Sequence, residues 1–366
     1  MFFISNRMKK KVFLGGFVNY INAQNINCRS IAVQLDKSKY DVRTLILSNM
    51  SKTHLEGVSI HKVSQNRLSL FYKFLLGVLW ADISYLPKHQ STPRMVLFIA
   101  KIFGKKVFTT IEGNMCDTRR RSMINSFGGK KKMQKYFKNI PNIYGITQHI
   151  VQNAVCGVKL NKMPLYLGVE SENFTNIKRS KLKNVVFIGS FIRRKKIDDY
   201  INLAKIFPKL NFHIVGNRKY IKFKKQRVQV KNAWKNKYNS FDHTDEMPEN
   251  ILLHGKVNRI QLSNLLKNFD LLFLPSRSEG FPKVILEAAA SSIPSIVYSD
   301  YGASEWITNG ENGFVLDDFS EVVDKIKYLI DNPDIYMKMS KGSELLANDF
   351  DWKNIIKQWE QVIDNL

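Results

Sequence analysis

The stretch "EGFPKVILEAAASSIP" (279–294) puts Glu279 and Glu287 eight positions apart, around a Gly-Phe-Pro turn that follows the apolar run "DLLFLPS" (270–276). A buried strand that ends this way and then opens a helix sets one carboxylate at the helix mouth. The second lies about one and a half turns along, roughly 7–8 Å from the start. Pro282 suits the first helical turn, where a missing N–H costs nothing. The amides of Gly280, Phe281 and Lys283 are then free to meet phosphate or hydroxyl oxygens. Two acids so separated are able to hold two different sets of sugar hydroxyls. The structural alternative is a surface Lys283–Glu287 pair, in the weaker i,i+4 order and worth about 0.3 kcal/mol.

Other strand ends carry chemistry of their own. In "VVFIGSFIRRKKIDDYINLAK" (185–205) an apolar run stops at Gly189, and four cations follow before an acidic helix start. A basic loop there is placed to neutralise a diphosphate, although most charge runs are simply solvated. "KKKVFLGGFVNYINAQNIN" (9–27) is strand, then Gly15-Gly16, then a polar loop. It is not GxGxxG, so a dinucleotide reading is weak, and a tight turn needing positive φ explains the glycines equally well. "FTTIEGNM" (108–115) ends a strand at Glu112. His149 reads as a packed or surface histidine. "DFD" (349–351) reads as two acids at a helix start, favoured by the helix dipole, with no metal placed there.

These loops need elements to hold them. Strand-like runs alternate with helical patterns in both halves, the signature of parallel α/β architecture. In the first half the runs are 11–15, 42–48, 81–87, 106–112 and 142–147; in the second they are 184–190, 211–217, 251–255, 270–276 and 294–300. The polar segment 170–184 reads as a linker, and 218–250 as an elaborated surface loop. The tail 349–366 has Ile355, Trp359, Val362 and Leu366 at helical steps. A length of 366 residues suits two domains.

Charge is unevenly spread. Residues 1–170 hold 27 Lys/Arg against 7 Asp/Glu, and residues 171–366 hold 30 against 24, so most of the +26 lies in the first half. Such asymmetry indicates an anionic partner. The segment 117–139 mixes eight cations with Met123, Phe127, Met133, Tyr136 and Phe137, a composition that suits an anionic membrane surface. Three scattered cysteines argue against a disulfide framework and fit a reducing cytoplasm. The apolar run 74–86 carries Asp82 and is too short to span a bilayer, and the N-terminus has no continuous signal-peptide core. The expectation is a chain that is not secreted.

The segment "LLKNFDLLFLPSRSEGFPKVILEAAASSIPSIVYSDYGASEWITNGENGFVLDD" resembles the core of family 4 retaining glycosyltransferases of the GT-B fold. Glu279 and Glu287 meet that family's Glu-x7-Glu motif, and "SEWITNGENGFVL" (304–316) its downstream segment. "LYLGVESENF" (165–174), "GSFIRRKKIDDYINLA" (189–204) and the tail from Phe350 and Trp352 are similar to further family stretches. The resemblance implies two Rossmann-like, doubly wound parallel-sheet domains facing a cleft: 1–170, basic and acceptor-side; 171–349, binding a nucleotide sugar; and 350–366, a helix returning to the first. It implies that Arg193, Lys196 and Glu279 act on the transferred sugar and its leaving diphosphate. Gly15, Gly16, Gly280, Phe281, Pro282, Lys283, Val284 and Glu287 would bind the donor, and Glu112 the acceptor or sugar. By register Lys196 takes the family lysine's place. The family arginine after the strand glycine is Ser190 here, so Arg193 or Arg194 substitutes, and the glycine after the lysine is Ile197.

The implied activity is metal-independent, retaining transfer from a nucleotide-diphosphate sugar to a glycan or lipid-linked acceptor, without a further cofactor. Its setting would be bacterial surface polysaccharide synthesis (capsule, O-antigen or exopolysaccharide), by a cytoplasmic protein peripheral at the inner membrane face. The competing readings are a basic nucleic-acid-binding protein, which lacks a reader motif here, and a nucleotide-sugar epimerase on a similar scaffold.

Overall fold

A computed structural model describes residues 8–366, apart from 88, 90, 114, 117–122, 154–155, 217–219, 224–225 and 230–246. From the amino end the chain runs β1 (Lys10–Phe17), α1 (Ala23–Gln34), β2 (Tyr40–Leu47), β3 (Val58–Val63), α2 (Arg67–Trp80), β4 (Ile83–Tyr85) and α3 (Arg94–Ile102). Then come β5 (Lys106–Ile111), α4 (Met123–Ser126), α5 (Lys130–Phe137), β6 (Asn142–Gly145) and α6 (Gln148–Asn153). The second part holds β7 (Asn184–Ile188), α7 (Ile197–Ile206), β8 (Asn211–Val215), β9 (Tyr220–Phe223), β10 (Gln226–Gln229) and β11 (Ile251–Gly255). It continues with α8 (Arg259–Leu266), β12 (Leu271–Leu274), α9 (Lys283–Ala289), β13 (Ser295–Tyr298), β14 (Gly313–Leu316), α10 (Phe319–Asp331) and α11 (Pro333–Asp349). The last helix is α12 (Trp352–Asn365).

The chain divides into two compact units, Met1–Gly168 with Trp352–Leu366, and Val169–Asp351. Each is built on a six-stranded parallel sheet, in the orders β3-β2-β1-β4-β5-β6 and β11-β8-β7-β12-β13-β14. Both are doubly wound: the chain leaves a central strand, winds to one edge, and returns to build the other. Their central strands are apolar on both faces because helices cover both. β12 and β13 are buried at every position. Asparagines start several helices: Asn22 and Asn66 accept from the backbone N–H three residues on, and Asn258 forms a capping box with Gln261.

α12 belongs to the first unit. It buries Trp352, Ile355, Ile356, Trp359 and Ile363, so its inner stripe runs through Ile356 and Ile363 where the sequence pointed to Val362 and Leu366. Trp359 packs edge-on against Tyr85 at 4.9 Å and donates its indole N–H to the Tyr166 carbonyl at 2.9 Å.

Several expectations are corrected. The linker segment is anchored in the second unit, because Arg179 is buried and donates to Asp270 (3.2 Å) and to the carbonyls of Leu266 and Ser291. Within 218–250, β9 and β10 form an antiparallel hairpin, while 218–219, 224–225 and 230–246 lie outside the described residues. Cys116 and Cys156 are joined as a disulfide with Cα atoms 5.5 Å apart, against the expectation of unpaired cysteines. Forty residues of sequence separate them, and only the convergence of the loops after β5 and α6 makes the pair. A cytoplasmic location would keep these two as thiols.

The basic segment 117–139 is corrected as well. Residues 117–122 lie outside the described residues, and in α5 Met133, Tyr136 and Phe137 are buried. Tyr136 and Phe137 form an aromatic cluster with His89 and Phe127, at centroid distances of 5.0–5.8 Å. Three of the five apolar side chains expected to meet a membrane, Met133, Tyr136 and Phe137, are therefore core.

Candidate functional site

The carboxyl ends of β7 and β12 meet in the second unit, where two loops are stitched together. The Arg277 N–H donates to the Arg194 carbonyl at 2.9 Å, and the Arg194 guanidinium donates back to the Ser278 carbonyl. Between these bonds lies Glu279. Its carboxylate pairs with Arg194 at 2.8 Å and with the Lys195 ammonium. Burial pushes Glu279 up, but the charges of Lys195 and Arg194 beside it hold it below the ordinary glutamate value. Burial lowers Lys195, and Arg194 adds to that, while Glu279 pulls it back. A buried charge set of this kind is held by its own geometry, because removing one member strands the others out of water.

The Lys195 side chain packs over Gly189, at ordinary contact distance (3.4 Å from Cε and 3.5 Å from Nζ) of where a Cβ would stand. Next to it, a Cβ on Gly216 at the end of β8 would come within 1.8 Å of the Gly189 carbonyl oxygen. The two strand ends approach so closely that no side chain fits between them.

The second acid keeps different company. Glu287 is half-buried on α9; burial raises its carboxyl, Lys283 and Arg259 pull it down, and Glu170 adds to the rise. Arg259, at the start of α8, is itself paired with Glu170. Pro282 is the residue before the helix, with φ −75° and ψ 96°, one position earlier than the sequence indicated. Phe281 lies edge-on to Trp306 at 4.9 Å and against Phe350 at 5.7 Å, an aromatic floor beside the turn. Tyr301 is buried, its phenol pushed up by burial and further by Glu279 and Asp300.

The structure brings Arg194 and Lys195 to Glu279. Lys196 is exposed, with a left-handed backbone (φ 46°, ψ 47°) at the start of α7, while Arg193 opens the short 3-10 turn that carries Arg194 and Lys195. Gly280, Lys283 and Val284 surround the turn and first helical residues, each half-buried. Lys195, Tyr301, Arg259 and Glu170 were not singled out by spacing. Only Lys195 left a trace, as one of four cations in "RRKK".

Gly15, Gly16 and Glu112 belong to the first unit. Gly15 and Gly16 lie within β1 without positive φ, so the turn explanation fails. They are glycines because of close packing: added Cβ atoms would meet Leu86 at 2.6 Å and Cys28 Sγ at 2.5 Å. Glu112 follows β5 near Tyr85, whose phenol is raised by burial and then by that carboxylate. Asn153 donates to the His149 carbonyl at 3.0 Å on α6, and the Ser171 N–H donates to Asp351 of "DFD" at 3.1 Å. Among the described residues there is no group of three His, Cys, Asp or Glu able to hold a metal, and no helix long and apolar enough to cross a membrane.

Two parallel sheets of this winding define the GT-B class, and solved structures share this fold. Anabaena HepE in complex with UDP and glucose superposes with a TM-score of 0.73 at 13% identity, covering 98% of this chain and 100% of that one. Residues 169–345, nearly all of the second unit, match the family model of glycosyl transferases group 1. The chain is 27% identical over 195 residues to an uncharacterized glycosyltransferase of Haemophilus influenzae, 51% of each chain. It is also 26% identical over 239 residues to the N,N'-diacetylbacillosaminyl-diphospho-undecaprenol alpha-1,3-N-acetylgalactosaminyltransferase of Campylobacter jejuni, covering 59% of this chain and 56% of that relative. These alignments span only about half the length of either relative.

Proposed function

We propose that this protein is a retaining glycosyltransferase that moves a sugar from a nucleotide-diphosphate donor to a glycan or lipid-linked acceptor in bacterial surface polysaccharide synthesis. The observation that carries the reading is Glu279 held by Arg194 and Lys195 at the end of β12, inside the region that matches group 1 glycosyl transferases. UDP in the HepE complex and a lipid diphosphate in the name of the Campylobacter relative support the donor and acceptor classes.

In this reading Glu287 accepts the ribose hydroxyls, set by Arg259 and Lys283. Glu279 and the backbone of Gly280–Lys283 hold the transferred sugar. When the bond from the anomeric carbon to the diphosphate oxygen breaks, its electron pair leaves with the diphosphate. Arg194 and Lys195, fixed beforehand, stabilise that charge; one such contact is worth about 3–4 kcal/mol of barrier. The acceptor hydroxyl oxygen bonds on the face the diphosphate leaves and passes its proton to the departing diphosphate oxygen, which keeps the anomeric configuration. Because side-chain cations supply the positive charge, activity persists in EDTA. In the first unit Gly15 and Gly16 serve the donor and Glu112 the acceptor or sugar, and the protein works at the inner face of the cytoplasmic membrane.

The test is a thermal-shift screen of nucleoside diphosphates followed by turnover of the sugar nucleotide whose base binds. A binder at about 100 times its dissociation constant stabilises the fold by roughly 2.7 kcal/mol. Glu287→Gln should weaken that binder about tenfold or more, the scale of a hydrogen bond to a charged group. If no nucleoside diphosphate raises the melting temperature, or if Glu287→Gln binds as the parent does, the reading is wrong.

A further inference from the structure

The first unit carries a surface that the transfer chemistry does not use. α2 turns Phe74, Gly77 and Val78 inward, so closely that a Cβ on Gly77 would meet the Phe13 ring at 2.5 Å. On its outer side Leu68, Tyr72 and Leu76 form a stripe at four-residue steps, and Leu68 is 82% exposed. α3 packs beside α2 and repeats the pattern, burying Val96, Leu97 and Ala100. Its outer side shows Met95, Phe98 and Ile102, continued by Phe103, each at least half exposed. α1, by contrast, packs with α12.

Single exposed apolar residues are ordinary, but seven large ones on two adjacent helices are not, and such patches mark interaction surfaces. The charge around them selects the partner. Arg67, Arg94, Lys101 and Lys106 are exposed on or beside the same helices. From residue 57 to residue 111 the sequence has eight Lys/Arg and one acid, Asp82. An apolar protein partner has no need of that excess, whereas an anionic bilayer takes both parts. Aromatic and aliphatic side chains enter the headgroup–acyl boundary, and cations with long stems reach the phosphates.

We propose that the outer face of α2 and α3 docks this protein onto a bilayer containing anionic phospholipid. The proposal deepens the lipid-linked acceptor part of the function above and rests on that reading for its purpose, though not for its observation. α5 does not provide such a face, because its cations Lys130, Lys131 and Lys132 are exposed while its apolar residues are core.

The test is co-sedimentation of the full chain with vesicles of phosphatidylcholine alone, or of phosphatidylcholine and phosphatidylglycerol in equal parts, at low and high salt. Two double variants are compared, Phe98→Ser with Ile102→Ser, and Arg94→Glu with Lys101→Glu. The parent should bind the anionic vesicles and be weakened by salt, and each variant should lose about tenfold or more of that partition. All three should keep the same stabilisation by a nucleoside diphosphate, which shows that they fold and leaves the donor site out of account. Equal binding of the apolar variant, equal binding to neutral vesicles, or no vesicle binding by the parent would overturn the docking face while leaving the transferase reading standing. Dimerisation in light scattering that the apolar variant abolishes, without vesicle binding, would assign the face to a second copy of the chain instead. Loss of nucleotide response in the parent, with vesicle binding intact, would sink the transferase reading and keep the surface.

Discussion

β3-β2-β1-β4-β5-β6 and β11-β8-β7-β12-β13-β14 are one winding used twice, and the two units spend their charges differently. In the second, cations are turned inward onto carboxylates: Arg194 and Lys195 onto Glu279, Arg259 onto Glu170, Arg179 onto Asp270. In the first, β1 ends in glycines packed against Leu86 and Cys28, and exposed cations lie on the outer helices. A shared scaffold therefore does not imply shared chemistry. Function follows what the strand ends and helix faces carry.

The largest effect that bears on this contrast is at Lys195. Lys195→Ala should lower turnover of the donor about 100-fold or more, whereas Lys196→Ala, on an exposed side chain, should change it less than about threefold. Steady-state rates of both variants decide it, and a reversed order would move the working cation one residue along the chain.

Packing gives the next comparison. Gly216→Ala drives a methyl into the Gly189 carbonyl and should cost about 3 kcal/mol. Gly15→Ala meets mainly the ends of Leu86 and Phe74 and should cost about 1 kcal/mol. Urea midpoints at unchanged slope measure both. Equal losses would mean that the close approach in the second unit has no special weight.

The smallest effect is at the edge of the second sheet. His213 Nδ1 lies 3.1 Å from His254 Nε2, and burial, then His254, lowers His213 to about 4. A histidine whose folded value is depressed contributes stability that is whole above 6.5 and is lost as pH falls toward 4. The melting temperature should decline across that window, and His213→Gln should flatten the decline. A variant with the parent's pH profile would show that the pair does not titrate as described.

Much of this was legible in one dimension. Alternating apolar runs announced two parallel sheets, because a strand covered on both faces must be apolar throughout. The acid-glycine-proline turn announced a strand end facing a ligand, since type and spacing there are local. The sequence could not rank Arg193, Arg194, Lys195 and Lys196, because adjacent residues in a tight turn point in different directions and a one-residue shift is invisible to spacing. Nor could it tell α5 from α2 and α3 as the apolar face.

The order of residues alone set the element types, the doubly wound class, the two acids of the turn and the excess of cations before residue 170. Tertiary structure decided which cation reaches Glu279, that Arg259 and Glu170 stand near Glu287, that Cys116 meets Cys156, and which apolar side chains stay outside. The division has one cause. Hydrogen-bonded elements are chosen over a few neighbouring residues, whereas charge pairing and burial depend on groups far apart in the chain that only the packed sheets bring within a few ångströms.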